Sequence, residues 1–98
     1  MEIPEPQKEE FTVYSKSGCI NCVKVKTLLK EKNLKFIVID CDEFILEDKD
    51  AFLTFMYKLA GQEYTTFPMV FDEKYFVGGF TETIKHVEKI LDFDLTFC

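Results

Sequence analysis

The chain has no arginine: all twelve of its cations are lysines, against eighteen acids, for a net charge of −6 over 98 residues. Phosphate recognition leans on arginine forks and a net basic field, so nucleic acid is not an expected partner. No stretch reaches the roughly 20 consecutive apolar residues that a membrane-spanning helix needs, so no membrane partner is expected. The first ten residues hold four Glu and two Pro, the reverse of a signal peptide, and a cytoplasmic location follows. There is one histidine, His86, and only one close pair of cysteines, so the two-knuckle pattern of a structural zinc site is missing. No internal repeat and no linker divides the chain.

Hydrophobic residues make up 47% of the sequence, with eleven Phe, enough for one domain with its own core. The charge is segregated. Lys16 to Lys35 carries six Lys and one Glu; Asp40 to Asp50 carries six acids and one Lys. Two solvated faces account for this, and so does a basic patch around the motif at Cys19 that suits an anionic thiol ligand.

Residues 1–10 read as a flexible, solvated acidic arm with nothing to bury. Phe11–Tyr14 alternates like a strand, and Ser15-Lys16-Ser17-Gly18 breaks it. From Ile20 to Lys32, Cys22, Val25, Leu28 and Leu29 recur at helical spacing, and Asn33 is a suitable stop. Phe36–Ile39 is a continuous apolar run, expected to be a central strand buried on both faces. Phe52, Phe55, Met56 and Leu59 mark a second helix ended by Gly61. Met69–Phe71 and Tyr75–Val77 flank Asp72-Glu73-Lys74 as a hairpin. Ile84, Val87, Ile90 and Leu91 stripe a last helix, with Thr81 its cap candidate. Residues 92–98 carry no clear pattern. The order β-α-β-α-β-β-α fits an α/β thioredoxin-like fold, a four-stranded mixed sheet flanked by helices.

The chemistry is concentrated in Cys19-Ile20-Asn21-Cys22. A cysteine attacks a disulfide only as thiolate, so a catalytic cysteine needs its ionisation eased. Cys19 falls at a helix N-terminus, where the free amides of Asn21 and Cys22 and the helix dipole favour negative charge. Lys16 stands three residues earlier. Cys22, one turn in, is more enclosed, keeps a higher pKa, and can resolve a mixed disulfide on Cys19. Cys41 reads as a small strand-end core residue, Cys98 as a free terminal thiol, and His86 as a surface histidine that Cys19 does not need.

The sequence closely resembles the glutaredoxin family in three linked segments. Tyr14-Ser15-Lys16-Ser17-Gly18-Cys19-Ile20-Asn21-Cys22 is similar to that family's active-site segment. Thr66-Phe67-Pro68-Met69-Val70-Phe71 is similar to its threonine–apolar–proline strand, and Gly78-Gly79-Phe80-Thr81-Glu82 to its diglycine turn. The resemblance covers about residues 11–91 and makes residues 11–98 a glutaredoxin domain.

The resemblance implies a glutathione-dependent oxidoreductase, expected to be a monomer, that reduces protein disulfides and glutathione mixed disulfides. It implies a cis Pro68, with the backbone of Phe67 free to pair with glutathione as an added strand. Asn21 is among the residues lining that ligand. Lys16 would hold the glycyl carboxylate. Thr81, with the first turn of the last helix (Phe80, Thr81, Glu82), would hold the γ-glutamyl carboxylate, and Gly78 and Gly79 would permit close approach. Two departures stand out: Ile20-Asn21 replaces the usual Pro-Tyr, and Thr65 stands where a cation or Gln is common. Without that proline the family sometimes holds a two-iron, two-sulfur cluster between subunits, with Cys19 as this chain's ligand. Cluster carriage, and reduction by a protein reductase without glutathione, are the rival readings.

Overall fold

In the computed structural model, residues 2–96 are described, with side chains through Leu91. The elements run β1 (Phe11–Ser15), α1 (Ile20–Glu31), β2 (Phe36–Asp40), α2 (Asp42–Ala60), β3 (Met69–Asp72), β4 (Tyr75–Gly78) and α3 (Phe80–Thr96). The four strands form one sheet in the order β2-β1-β3-β4. β1 pairs parallel with β2 and antiparallel with β3, and β3 and β4 form the hairpin. This is the thioredoxin-like arrangement.

Two apolar clusters sandwich the sheet. Phe11, Val13 and Val70 face Val25 and Leu29 of α1 and Val87 of α3. Tyr14, Met69 and Phe71 face Phe52 and Met56 of α2 on the other side. β1 is therefore covered on both faces, and all five of its residues are buried. This corrects the expected place of Phe36–Ile39. β2 lies at the sheet edge, bonded only to β1, and Val38 is 43% exposed. A continuous apolar run does not distinguish two neighbouring strands from one.

α1 closes as its sequence implies. Asn33 takes a left-handed φ of 57°. Its N–H bonds the Lys30 carbonyl, while the Leu34 N–H bonds that of Leu29, the paired closure of a helix end. α2 begins well before its apolar stripe. It is broken at Asp48 (φ −161°, ψ 92°), whose carboxylate accepts the Ala51 N–H at 3.0 Å and caps the second half. The acidic run is thus two helix starts. The last helix continues through residues 92–96, which showed no pattern in the sequence; Cys98 lies outside the described residues.

The expectation for residues 1–10 also needs correction. Ile3 packs against the α2-side core and Pro6 is buried. The Tyr14 hydroxyl donates to the Pro4 carbonyl at 2.6 Å, and the Gln7 N–H donates to the Thr12 hydroxyl oxygen at 2.9 Å. A buried phenol on a central strand needs an acceptor, and the arm supplies it.

His86 differs from the expected surface residue. It is half-buried, with its Nε2 2.8 Å from Asp72, its ring stacked on Tyr75 and an edge contact to Phe11. It ties α3 to the hairpin at the end of β3 away from Pro68.

Candidate functional site

The site lies where β1 ends and β3 begins. Cys19 caps α1 in extended conformation (φ −105°, ψ 107°), and its sulfur accepts the Cys22 N–H at 3.2 Å. Sulfur here fills the role that a serine or aspartate oxygen plays at other helix starts. The amide of Cys22, not that of Asn21, makes the bond. Asn21 is exposed and forms no side-chain hydrogen bond among the described residues. No acid occupies the first turn of α1, so nothing there opposes negative charge on the sulfur.

The Phe67–Pro68 peptide is cis. The Cys19 thiol donates to the Phe67 carbonyl at 3.6 Å, so that carbonyl faces the site and is engaged by the cysteine in this state. The Phe67 ring has two neighbours: it stacks on buried Phe52 at 6.0 Å, and the Lys16 ammonium lies 5.6 Å from its centre. Lys16 itself is exposed.

The two cysteines differ in surroundings. Cys19 is partly accessible and Cys22 is 1% exposed. Burial, and then the neighbouring Cys19 thiol, push the Cys22 thiol up from its ordinary value; the Ser15 side chain and the Lys16 backbone offset part of this. Cys41, wholly buried at the start of α2, is pushed up to about 12, mainly by burial. It bonds the Ile39 carbonyl at 3.5 Å and serves the core.

The loop before Cys19 is clasped from α2. Asp42 accepts the Ser17 N–H at 2.9 Å and the Ser17 hydroxyl, and these bonds hold its carboxyl below the usual carboxylate range. The sequence carried no sign of this clasp, because its partners lie 25 residues apart.

At the diglycine turn Gly79 lies beside the Pro68 carbonyl. Its N–H donates to a Glu82 carboxylate oxygen at 2.8 Å and its carbonyl accepts the Thr83 N–H at 3.0 Å. The cap of α3 is therefore Gly79 with Glu82 reaching back, half of a capping box, and not Thr81. Thr81 is exposed in the first turn, and Phe80 packs near the Lys24 ammonium at 5.7 Å. The close approach at the glycines is made by the protein's own groups. A β-carbon on Gly78, whose φ is +126°, would lie 2.9 Å from Glu82; one on Gly79 would lie 2.6 Å from the Tyr64 hydroxyl.

Two grooves meet at Lys16. One, of about 350 Å³, runs along Phe67 and Thr65 to Leu46, Lys49 and Leu53 of α2. The other, of about 390 Å³, runs from Cys19 along Ile20, Val23 and Lys26 of α1. The structure thus brings Cys19, Cys22, Lys16, Phe67 and Pro68 together, with Gly79 beside Pro68 and Glu82 bonded to Gly79. Among the described residues, the Thr81 and Asn21 side chains make no hydrogen bond to this group.

The family model for glutaredoxin matches residues 11–76. The chain belongs to the glutaredoxin family. Over 67 residues it is 36% identical to glutaredoxin 1 of Rickettsia conorii, covering 68% of this chain and 61% of that protein. It therefore spans less than two thirds of that relative. Among solved structures, glutaredoxin 1 from Francisella tularensis, complexed with cacodylate, superposes with a TM-score of 0.72 at 27% identity. The match covers 84% of this chain and 95% of that one. The buckwheat glutaredoxin–glutathione complex superposes with a TM-score of 0.66 at 30% identity, covering 91% and 78%. Among the described residues of this glutaredoxin-family chain no helix is long and apolar enough to cross a membrane. Nor do three or more His, Cys, Asp or Glu side chains converge there as metal ligands.

Proposed function

We propose that this protein is a glutathione-dependent thiol–disulfide oxidoreductase acting on protein disulfides and glutathione mixed disulfides in a cytoplasmic, reducing setting. The observation that carries the reading is the contrast at Cys19–Cys22: an accessible sulfur held by a helix-start amide, next to a buried thiol one turn away.

Cys19 attacks as thiolate. It forms a bond to one sulfur of the substrate disulfide, and the other sulfur leaves as thiolate. Cys22 then attacks the Cys19 sulfur, forming the Cys19–Cys22 disulfide; the second substrate sulfur departs and takes up the Cys22 proton. Two electrons pass from the dithiol to the substrate. Two glutathione thiols restore it. The first opens the Cys19–Cys22 bond at Cys19, and the second attacks the glutathione sulfur so formed, releasing glutathione disulfide. The backbone of Phe67 offers glutathione a strand-like pairing edge. Lys16 faces its glycyl carboxylate, and the Phe80 and Thr81 amides at the start of α3 take its γ-glutamyl carboxylate, the Gly79 N–H being held by Glu82.

Among the described residues a cluster would draw only Cys19, since Cys22 and Cys41 are buried, and no observation favours it.

The test is a reductase assay with glutathione as sole electron source. Turnover of a glutathione mixed disulfide, with a Michaelis constant for glutathione raised several-fold by Lys16→Glu, is the expected result. Turnover only with a protein reductase would replace this reading by the thioredoxin-like one.

A further inference from the structure

We infer that the groove on the α1 side of Cys19 is a docking surface for protein substrates, and that it selects an acidic segment with an apolar residue beside its disulfide cysteine. The inference rests on the oxidoreductase reading and names its substrate class. Four observations support it. Ile20 and Val23 are 66% and 53% exposed, and both line this groove beside Cys19. They are three residues apart, hence on one face of the helix. The groove is bordered by Lys16 and Lys26, and no acid lines it. Lys26 makes no salt bridge among the described residues, so its charge is free for a partner.

Charge complementarity fixes the occupant. The molecule carries a net −6, so an acidic partner is repelled by most of its surface and attracted to the lysine-rich start of α1. An apolar side chain next to the partner's cysteine covers Ile20 and Val23 as the sulfurs meet. The groove beside Phe67 lies across Lys16 and stays open for glutathione.

The experiment is a single-turnover reaction of the pre-reduced 98-residue protein with three disulfides. Two are synthetic peptide homodisulfides, one with Asp, Glu and Leu flanking the cysteine and one with Lys flanks. The third is 2-hydroxyethyl disulfide, a small neutral reference. No glutathione is needed, so this reads the surface separately from the glutathione dependence tested above. The wild type reacts faster with the acidic peptide, and about 0.5 M salt removes most of that preference. Lys26→Glu slows the acidic peptide about tenfold, speeds the lysine peptide and leaves the small disulfide unchanged. Val23→Ser slows the acidic peptide about threefold, and loses that effect when the peptide leucine is replaced by serine. Equal rates for the two peptides in the wild type would overturn the proposal, as would a parallel change of all three substrates in either variant. So would a dimer dissolved by Val23→Ser, because the face would then belong to a second copy.

Discussion

The Tyr64 hydroxyl crosses Gly79 so closely that a β-carbon there would stand 2.6 Å from it. Tyr64 is fixed from behind, its ring set edge-on to Phe76 at 5.0 Å. Gly79→Ala therefore forces the tyrosine aside, at a cost of about 1–3 kcal/mol in urea unfolding. Tyr64→Phe removes the obstructing oxygen and is expected to recover part of that loss in the double variant. Strictly additive effects would mean that the two residues do not meet.

Thiol roles separate by substitution. Cys19→Ser is expected to abolish all turnover. Cys22→Ser is expected to lose reduction of protein disulfides but keep activity on glutathione mixed disulfides, where a second glutathione resolves the intermediate. Equal loss in both variants, measured with the two substrate types side by side, would sink the assignment of Cys19 as sole nucleophile. In a Cys98→Ser background, alkylation at neutral pH should mark Cys19 first and leave Cys41 unmodified until the protein unfolds, since burial sets that thiol at about 12.

The clasp between Ser17 and Asp42 has a pH signature. Its hydrogen bonds hold the Asp42 carboxyl below its unfolded value, so the ionised form is favoured in the folded chain. The contribution is fully present above the unfolded value near pH 4, and is lost as pH falls through the lower, folded value. Ser17→Ala removes the hydroxyl bond and should move the Asp42 titration upward, as followed by carboxyl-carbon NMR. An unchanged titration would show that the clasp is open in solution.

His86 makes its contacts far from the thiols, so its loss should appear in stability and not in chemistry. His86→Ala removes the Asp72 bond and the stack on Tyr75, and is expected to cost about 1–2 kcal/mol. Single-turnover rates at Cys19 should stay at the wild-type level. A fall in those rates at full folding would show that the far end of β3 communicates with Pro68.

Features carried by short-range chemistry were legible in the sequence. The Cys19 cap, the Asn33 stop, the hairpin around Glu73 and the stripe of α2 each depend on residues within a few positions of one another. What the sequence hid depends on partners remote in the chain. The run Phe36–Ile39 looks the same at an edge as at the centre, because its own residues do not count its neighbours. The acidic stretch from Asp40 to Asp50 looked merely solvated, since Phe44 and Ile45 are too few to make an apolar stripe and Asp48, which caps the second half of α2, is one acid among several. Tyr64 carried no mark of its place over Gly79, and Thr81 looked like a cap because the Glu82 carboxylate that does the work leaves no distinct pattern.

The hydrogen bond from Tyr14 to Pro4 redraws the boundary of the folding unit. The family match begins at Phe11, yet the phenol of Tyr14 is fully buried and finds its acceptor seven residues before that point. Cut at Phe11, the chain would keep every residue of the candidate site and lose the oxygen that satisfies its most central side chain, along with the cover given by Ile3 and Pro6. Residues 3–7 therefore pack as part of the scaffold, upstream of the segment that the family match covers.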